Sequence, residues 1–345
     1  AAAAVTGTAA AAAAAKPAAA FDGREDVQAF VRELVERHGF EESALRAVFA
    51  RARASDTAVR LMAPAPPGFR RSWHAYRGRF VEPVRIRGGL RFWNSHADAI
   101  RRASERYGVP EEIIVAIIGV ETIYGRHTGD FRVIDVLSTL AFDYPRRAAY
   151  FREELEQYLL LARESGFDPL DWRGSFAGAV GLPQFMPGSI RRHAVDFDED
   201  GRIDLRGSPT DAVGSVARFL ANHGWKPGAP THHAARVEDE IRVRPVVETG
   251  IAPDYTAPRL MPGELADQGI EAPEGLPPQE ALSLIDLPNG DDTTTWVLAA
   301  DNFFVITRYN RSYFYAMAVA ELARALRESA RPAQQTRNPA QPAAQ

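Results

Sequence analysis

Glu121 is the first ionisable side chain after an apolar run, Ile113-Ile114-Val115-Ala116-Ile117-Ile118-Gly119-Val120. The run reads as a helix buried on all sides, with Pro110 at its first position, Glu111 and Glu112 in its first turn, and its end near Gly125. It is too short and too closely flanked by charge to cross a bilayer. A carboxyl in its last turn meets the negative end of the helix dipole and apolar neighbours, and both favour the protonated form. That is the state a general acid needs near neutral pH. The competing reading is that Glu121 pairs with Arg126 or accepts hydrogen bonds and only fixes the helix end.

A second constellation is acidic. In Asp196-Phe197-Asp198-Glu199-Asp200-Gly201-Arg202-Ile203-Asp204, carboxylates stand at the first, third, fifth and ninth positions, with glycine at the sixth and isoleucine at the eighth. This is the ligand spacing of an EF-hand loop, in which glycine permits a sharp turn and oxygen donors suit a hard cation such as Ca2+. The twelfth position, normally a bidentate Glu, is Gly207. Asp211 is the next carboxylate able to close the shell, or it forms a capping box with Ser208. With no nucleophile in the loop, the ion is expected to be structural, and no cofactor is expected for catalysis.

A third stretch, Phe69 to Trp93, interleaves Arg70, Arg71, Arg77, Arg79, Arg85, Arg87 and Arg91 with Trp73, Tyr76, Phe80, Phe92 and Trp93. Such a pattern suits an anionic, ring-bearing ligand, and equally a solvated face over packed aromatics. The chain as a whole carries 41 basic and 45 acidic residues, a formal net charge of −4, which argues against nucleic acid as a partner. It has no cysteine, so disulfides, thiolate metal sites and thiol nucleophiles are excluded. Ser175 lacks the Gly-x-Ser-x-Gly elbow of a serine hydrolase, and neither His193 nor the His232-His233 pair is spaced as its partner or as a zinc site.

The elements that must carry these residues are mostly helical. Val27, Phe30, Val31, Leu34 and Val35, then Leu45, Val48 and Phe49, recur at helical spacing on either side of Gly39. Asn94 is placed to cap a helix running to Tyr107. Helical runs follow at Val133 to Phe142 and Pro145 to Ser165, a Gly- and Pro-rich loop at Gly174 to Ser189, and a helix from Ser208-Pro209 to Asn222. Strands are expected at Glu240 to Val247, Ala281 to Leu287, Thr294 to Leu298 and Phe303 to Tyr309, and a last helix at Phe314 to Ser329. The Ala-rich lead opens without methionine, as after removal of a targeting segment. No amino-terminal cysteine is present to carry a lipid anchor.

Several motifs occur together in a fixed order: Ile117-Ile118-Gly119-Val120-Glu121-Thr122, Phe142-Asp143-Tyr144-Pro145-Arg146-Arg147, Ser175-Phe176-Ala177-Gly178-Ala179-Val180-Gly181-Leu182-Pro183-Gln184-Phe185-Met186-Pro187, the acidic loop, and Ile306-Thr307-Arg308-Tyr309-Asn310. From about Ser72 to Leu326 the chain resembles the soluble form of the membrane-bound lytic transglycosylase B family, which cleaves bacterial peptidoglycan. The resemblance implies a mainly α (α+β) fold, with a lysozyme-like helical core, an EF-hand-like calcium loop, a helical flanking domain and a small strand-containing domain. The corresponding divisions are a disordered lead at 1–20, the flanking domain at 21–90, the core at 91–225 with its loop at 196–211, an irregular insertion at 226–292, strands and a helix completing the groove at 293–330, and a disordered tail at 331–345.

By the same resemblance Glu121 is the catalytic residue. Substrate contacts fall on Tyr76, Arg146, Arg147, Ser175, Gln184, Phe185, Tyr309, Asn310 and Tyr315, the two arginines meeting the peptide or lactyl carboxylate. Calcium ligands fall on Asp196, Asp198, Asp200, Arg202 through its backbone carbonyl, and Asp211. Gly188 replaces a usual serine, and Phe219 stands where a relative has tyrosine. The implied reaction cuts between N-acetylmuramic acid and N-acetylglucosamine and leaves a 1,6-anhydromuramoyl end. The alternatives are a muramidase that adds water and a non-catalytic peptidoglycan-binding protein. A periplasmic monomer is expected, with glycan strands as its partner and wall-synthesis or division proteins as further candidates.

Overall fold

The computed structural model describes residues 21–66, 68–248 and 259–335. The Ala-rich lead and the tail beyond Gln335 lie outside the described residues. The chain divides into two compact units, one of Ala1–Pro66, Gly125–Ala194 and Arg202–Ala212, the other of Pro67–Tyr124, Val195–Gly201 and Val213–Gln345.

In the first unit, helices Glu25–His38 and Glu42–Arg51 form where the apolar spacing predicts them. Gly39 ends the first of these in the left-handed conformation, its N–H bonded to the Val35 carbonyl. Phe30, Phe49 and Phe142 meet edge to face, with ring centres 5.8 to 6.5 Å apart. Helix Ala148–Ser165 packs against Val133–Asp143 and Pro187–His193. Its inward face includes Glu154 between Phe151 and Tyr158, one turn from each. Glu154 Oε2 accepts from the Gly188 N–H at 2.8 Å. A Cβ on Gly188 would lie 3.0 Å from the Arg192 guanidinium and 3.1 Å from the other carboxylate oxygen, so either side chain would have to give slightly.

In the second unit, helix Glu111–Thr122 packs against Tyr313–Gln335, Pro83–Ser95 and Ala97–Tyr107. Every residue from Ile113 to Thr122 is buried, so packing rather than helix propensity holds this β-branched segment. Full burial of each isoleucine contributes about 1.5–3 kcal/mol. Trp93 Nε1 donates to Glu111 at 2.7 Å, and Glu112 pairs with Arg327 at 3.5 Å, which anchors the acidic first turn. Pro110 sits one residue before the helix rather than within it, and Asn94 lies inside Pro83–Ser95, so the next helix starts only at Ala97.

The sheet of this unit is antiparallel, in the order Ile270–Glu271, His232–Val237, Asp292–Ala299, Ser283–Asn289. Pro288 lies at the register shift between Leu287 and Asn289 on the edge strand, where a missing N–H is tolerated. Two expected strands are helical. Glu240–Val243 is a short helix because Asp239 caps the N–H groups of Ile241 and Arg242, and Pro245 continues it as a 3-10 turn. Asp301–Tyr309 is a helix in which Phe303 to Thr307 are all buried, and a run apolar on every side carries no period that separates helix from strand. The strand His232–Val237 was not anticipated.

The Glu111–Thr122 helix stops at Thr122, short of Gly125, because Ile123 and Tyr124 both take left-handed φ, 50° and 58°. Bulky residues adopt this conformation at a cost, and such strain clusters at functional sites. The Tyr124 ring lies over Gly88, Gly89 and Gly119, and its buried hydroxyl has no hydrogen-bond partner among the described residues. A Cβ on Gly89 would stand 2.4 Å from Tyr124 Oη and 2.5 Å from Leu326 Cδ2. Gly89→Ala is therefore expected to destabilise the protein by about 1–3 kcal/mol through overpacking. Tyr124→Phe, which removes only the unsatisfied hydroxyl, is expected to hold or raise the melting temperature. Thermal unfolding of the two variants checks this, and an unchanged melt for Gly89→Ala contradicts the packing.

Candidate active site

Glu121 leaves the last turn of its helix as a buried carboxyl, 7% exposed. Its Oε1 accepts a hydrogen bond of 2.6 Å from the Tyr315 hydroxyl. Burial raises its pKa above the ordinary carboxylate value, and the Tyr315 bond opposes this only in part. Among the described residues no ion pair involves Glu121, so the guanidinium-paired reading fails.

Aromatic residues surround this group. Tyr315, near the start of helix Tyr313–Gln335, is held by its N–H bond to Ser312 Oγ at 3.3 Å. Tyr309, at the end of helix Asp301–Tyr309, stacks on Tyr315 with ring centres 6.3 Å apart and planes 15° apart. Phe219 meets Tyr309 edge to face at 4.9 Å, a contact that needs no hydroxyl on that ring. Tyr76 packs against Phe80 and Phe314, and burial first, then the Glu121 charge, pushes its hydroxyl up to about 12. The same two causes hold the Tyr309 and Tyr315 hydroxyls well above their usual value. The three phenols therefore stay protonated and able to donate. Asn310 follows directly as the C-cap of the Tyr309 helix, and its carbonyl accepts from the Ser312 N–H at 2.7 Å.

The remaining expected contact residues belong to the other unit. Ser175 opens a tight Gly-rich loop in which its Oγ accepts from the N–H groups of Ala177 and Ala179, at 3.3 and 3.0 Å. The loop closes because Gly174 and Gly181 lie against backbone. A Cβ at these positions would be 2.2 Å from the Ala179 carbonyl oxygen and 2.3 Å from that of Leu205. Gln184 has φ +50° and is buried, its amide donating to the carbonyls of Thr128 at 3.0 Å and Gly181 at 2.9 Å. Both donors are thus engaged, and its side-chain oxygen is the atom left to meet a ligand. Phe185 is buried, paired through its backbone with Val180. Arg146 and Arg147 form an exposed 3-10 turn with Pro145, and the Arg147 guanidinium lies 4.3 Å from the Tyr150 ring centre.

In the acidic loop, Asp196 turns the chain by accepting from the N–H groups of Asp200 at 3.1 Å and Gly201 at 2.8 Å, with Gly201 at φ +90°. Phe197 anchors this part of the loop against Tyr107, 6.3 Å between ring centres. In the other unit, Asp204 Oδ1 accepts from the Arg206 and Gly207 N–H groups, both at 2.9 Å. A Cβ on Gly207 would lie 2.5 Å from Asp204 Oδ2, so a side chain at the twelfth position would require the Asp204 carboxylate to turn. Asp211 is buried, accepts from the Asp204 N–H at 2.8 Å and donates its own N–H to Ser208 Oγ at 3.1 Å. These groups supply the hard oxygen donors that suit calcium.

Among the described residues, the sequence reading did not single out the buried charges Glu154, Glu156 and Glu248, and named Arg85 only as one of a stretch of arginines. Glu154 was detectable, since it lies in helical phase with Phe151 and Tyr158. For Glu121 the sign of linkage is definite: the raised folded pKa means its protonation supports the fold at low pH, and that support is lost as pH rises through the folded value. Glu121→Gln is therefore expected to raise the melting temperature at neutral and alkaline pH and to leave it nearly unchanged in acid. Melts across pH check this, and equal shifts at every pH contradict a buried, raised carboxyl.

Comparison with known proteins gives a consistent result. The transglycosylase SLT domain family matches residues 22–324. Membrane-bound lytic murein transglycosylase B of Escherichia coli (strain K12) is 41% identical over 314 residues, 89% of this chain and 84% of that protein. The catenated lytic transglycosylase SltB1 of Pseudomonas aeruginosa is 44% identical and superimposes with a TM-score of 0.82, over 90% of this chain and 99% of that one. E. coli lytic transglycosylase Slt35 in complex with calcium gives 40% identity and 0.79, over 89% and 94%. SltB3 of P. aeruginosa in complex with NAG-anhNAM-pentapeptide gives 31% and 0.75, over 88% and 79%. A match across nearly the whole chain, joined to relatives above 40% identity, makes this protein a member of the transglycosylase SLT domain family.

Proposed function

We propose that the chain is a lytic murein transglycosylase, with Glu121 as its single acid and base. The observation that carries this reading is the buried Glu121 carboxyl, raised in pKa and bonded to Tyr315, in a chain related to murein transglycosylases along most of its length. Tyr315 donates to Oε1, which leaves Oε2 as the oxygen that carries and delivers the proton. Glu121 protonates the glycosidic oxygen between N-acetylmuramic acid and N-acetylglucosamine, and that bond breaks as the muramoyl N-acetyl oxygen attacks the anomeric carbon. The ionised carboxylate then takes the proton of the C6 hydroxyl, whose oxygen closes the 1,6-anhydro ring and releases the N-acetyl group. No water is consumed.

A hydrolytic glycosidase ordinarily needs a second carboxylate to direct water. The relative SltB3 is found with an anhydro-muramoyl ligand, which favours transglycosylation over hydrolysis. Tyr76, Tyr309 and Asn310 line the sugar beside Glu121. The Ser175 hydroxyl, whose oxygen already accepts two N–H bonds, donates its proton to the glycan's N-acetyl group, the Gln184 oxygen accepts from glycan N–H or hydroxyl groups, Phe185 supports that loop, and Arg146 and Arg147 meet the peptide or lactyl carboxylates. The relatives' names agree with an exported enzyme that works on the cell wall. No helix among the described residues is long and apolar enough to cross a membrane.

Asp196, Asp198, Asp200, the Arg202 carbonyl and Asp211 hold a structural calcium ion. The loop spacing, the Asp196 turn, the buried Asp211 carboxylate and the calcium complex of Slt35 support this assignment.

On purified sacculi the wild-type protein is expected to release muropeptides lighter by one water than hydrolysis products, and Glu121→Gln to release none while folding normally. Mass spectrometry decides it, and products of hydrolytic mass, or activity in the glutamine variant, overturn the reading. A calcium chelator is expected to lower the melting temperature, with recovery on adding calcium. A melt that does not respond to calcium removes the metal assignment.

A further inference from the structure

We infer that Arg85 is a positioning residue for Glu121, acting through the backbone carbonyl of Gly119; this rests on the reading of Glu121 as the acid. Helix Glu111–Thr122 has no basic residue in its last turn, so its own sequence leaves the negative end of the helix dipole uncompensated. Arg85 supplies the missing cation from helix Pro83–Ser95. It is 8% exposed, and its Nε donates to the Gly119 carbonyl at 2.8 Å. The competing donor to that carbonyl, the N–H of Ile123, stands at 3.2 Å because the chain has already turned into the left-handed region there.

The guanidinium itself is fixed from several sides. It also donates to the Arg79 carbonyl, lies 5.0 Å from the Phe80 ring centre, and stands 3.8 Å from the Glu82 carboxylate. A buried cation is costly to maintain, and this one spends its planar fork on two carbonyls rather than on a close carboxylate pair. One of those carbonyls lies two residues before Glu121, in the turn from which the acid's side chain departs. Gly119 has no side chain because a Cβ there would stand 2.4 Å from Tyr124 Oη, so the glycine keeps the tyrosine packed against this turn. Arg85 thereby sets the direction in which the Glu121 carboxyl leaves the helix.

Misplacing a catalytic group by about 1 Å costs on the order of a hundredfold in rate. Steady-state kinetics of the full chain on a soluble, uncrosslinked glycan test the inference. Arg85→Met is expected to lower kcat about a hundredfold with KM within about twofold, the split that separates lost alignment from lost binding. Arg85→Lys keeps the charge and a donor without the planar fork, and is expected to fall between, about tenfold below wild type. If the methionine variant does not fold, the lysine variant decides on the same criteria. Near-wild-type kcat in either folded variant, a loss carried by KM, or failure of both to fold overturns the inference. Glu121→Gln assayed alongside separates the two readings: activity retained there removes the acid assignment, whereas an inactive glutamine variant beside a fully active methionine variant removes only Arg85.

Discussion

A phenol donating to a buried carboxyl, Tyr315 to Glu121, is the contact on which the rest of the site depends. Burial favours the neutral carboxyl and raises its pKa, whereas the phenol's hydrogen bond favours the charged form. Together they leave it able to exist in both states, as a group that first gives a proton and then takes one must. The contact joins residues 194 apart in the chain, so it forms only once helix Glu111–Thr122 and helix Tyr313–Gln335 have packed. The apolar length of the first helix is what fixes it there, because each buried isoleucine opposes the cost of burying an acid at its end.

Glycines determine where backbone and rings lie around these helices. Gly88, Gly89 and Gly119 together leave room for the Tyr124 ring, and the Gly119 carbonyl accepts from Arg85. In the other unit Gly174 and Gly181 admit carbonyl oxygens so close that any side chain would clash, and this shapes the loop carrying Ser175 and Gln184. Gly207 lies close beside the Asp204 carboxylate, and Asp211 ties this turn to the next helix by accepting from the Asp204 N–H.

Much of this was readable in the chain before any coordinates. The buried helix and its terminal acid followed from an unbroken apolar run, and the acidic loop from its spacing. The family followed from the order of several modest motifs. What was hidden depends on tertiary partners. Seven arginines share one stretch, and nothing local marks Arg85 as the buried one. Phe303 to Thr307 reads as a strand because a run buried on every side shows no period. The left-handed turn at Ile123 and Tyr124 was unreadable for a similar reason, since neither residue type favours it and only the ring's packing site holds it there.

The protonation state of one carboxyl underlies the account, and it can be observed without substrate. Carbon-13 NMR of protein labelled at glutamate side-chain carboxyls, with Glu121→Gln to assign the signal, follows that group directly through a pH titration. The account predicts a resonance, absent from the variant, that titrates above the range of the other glutamates. A Glu121 signal that titrates with the surface glutamates, or below them, would contradict it.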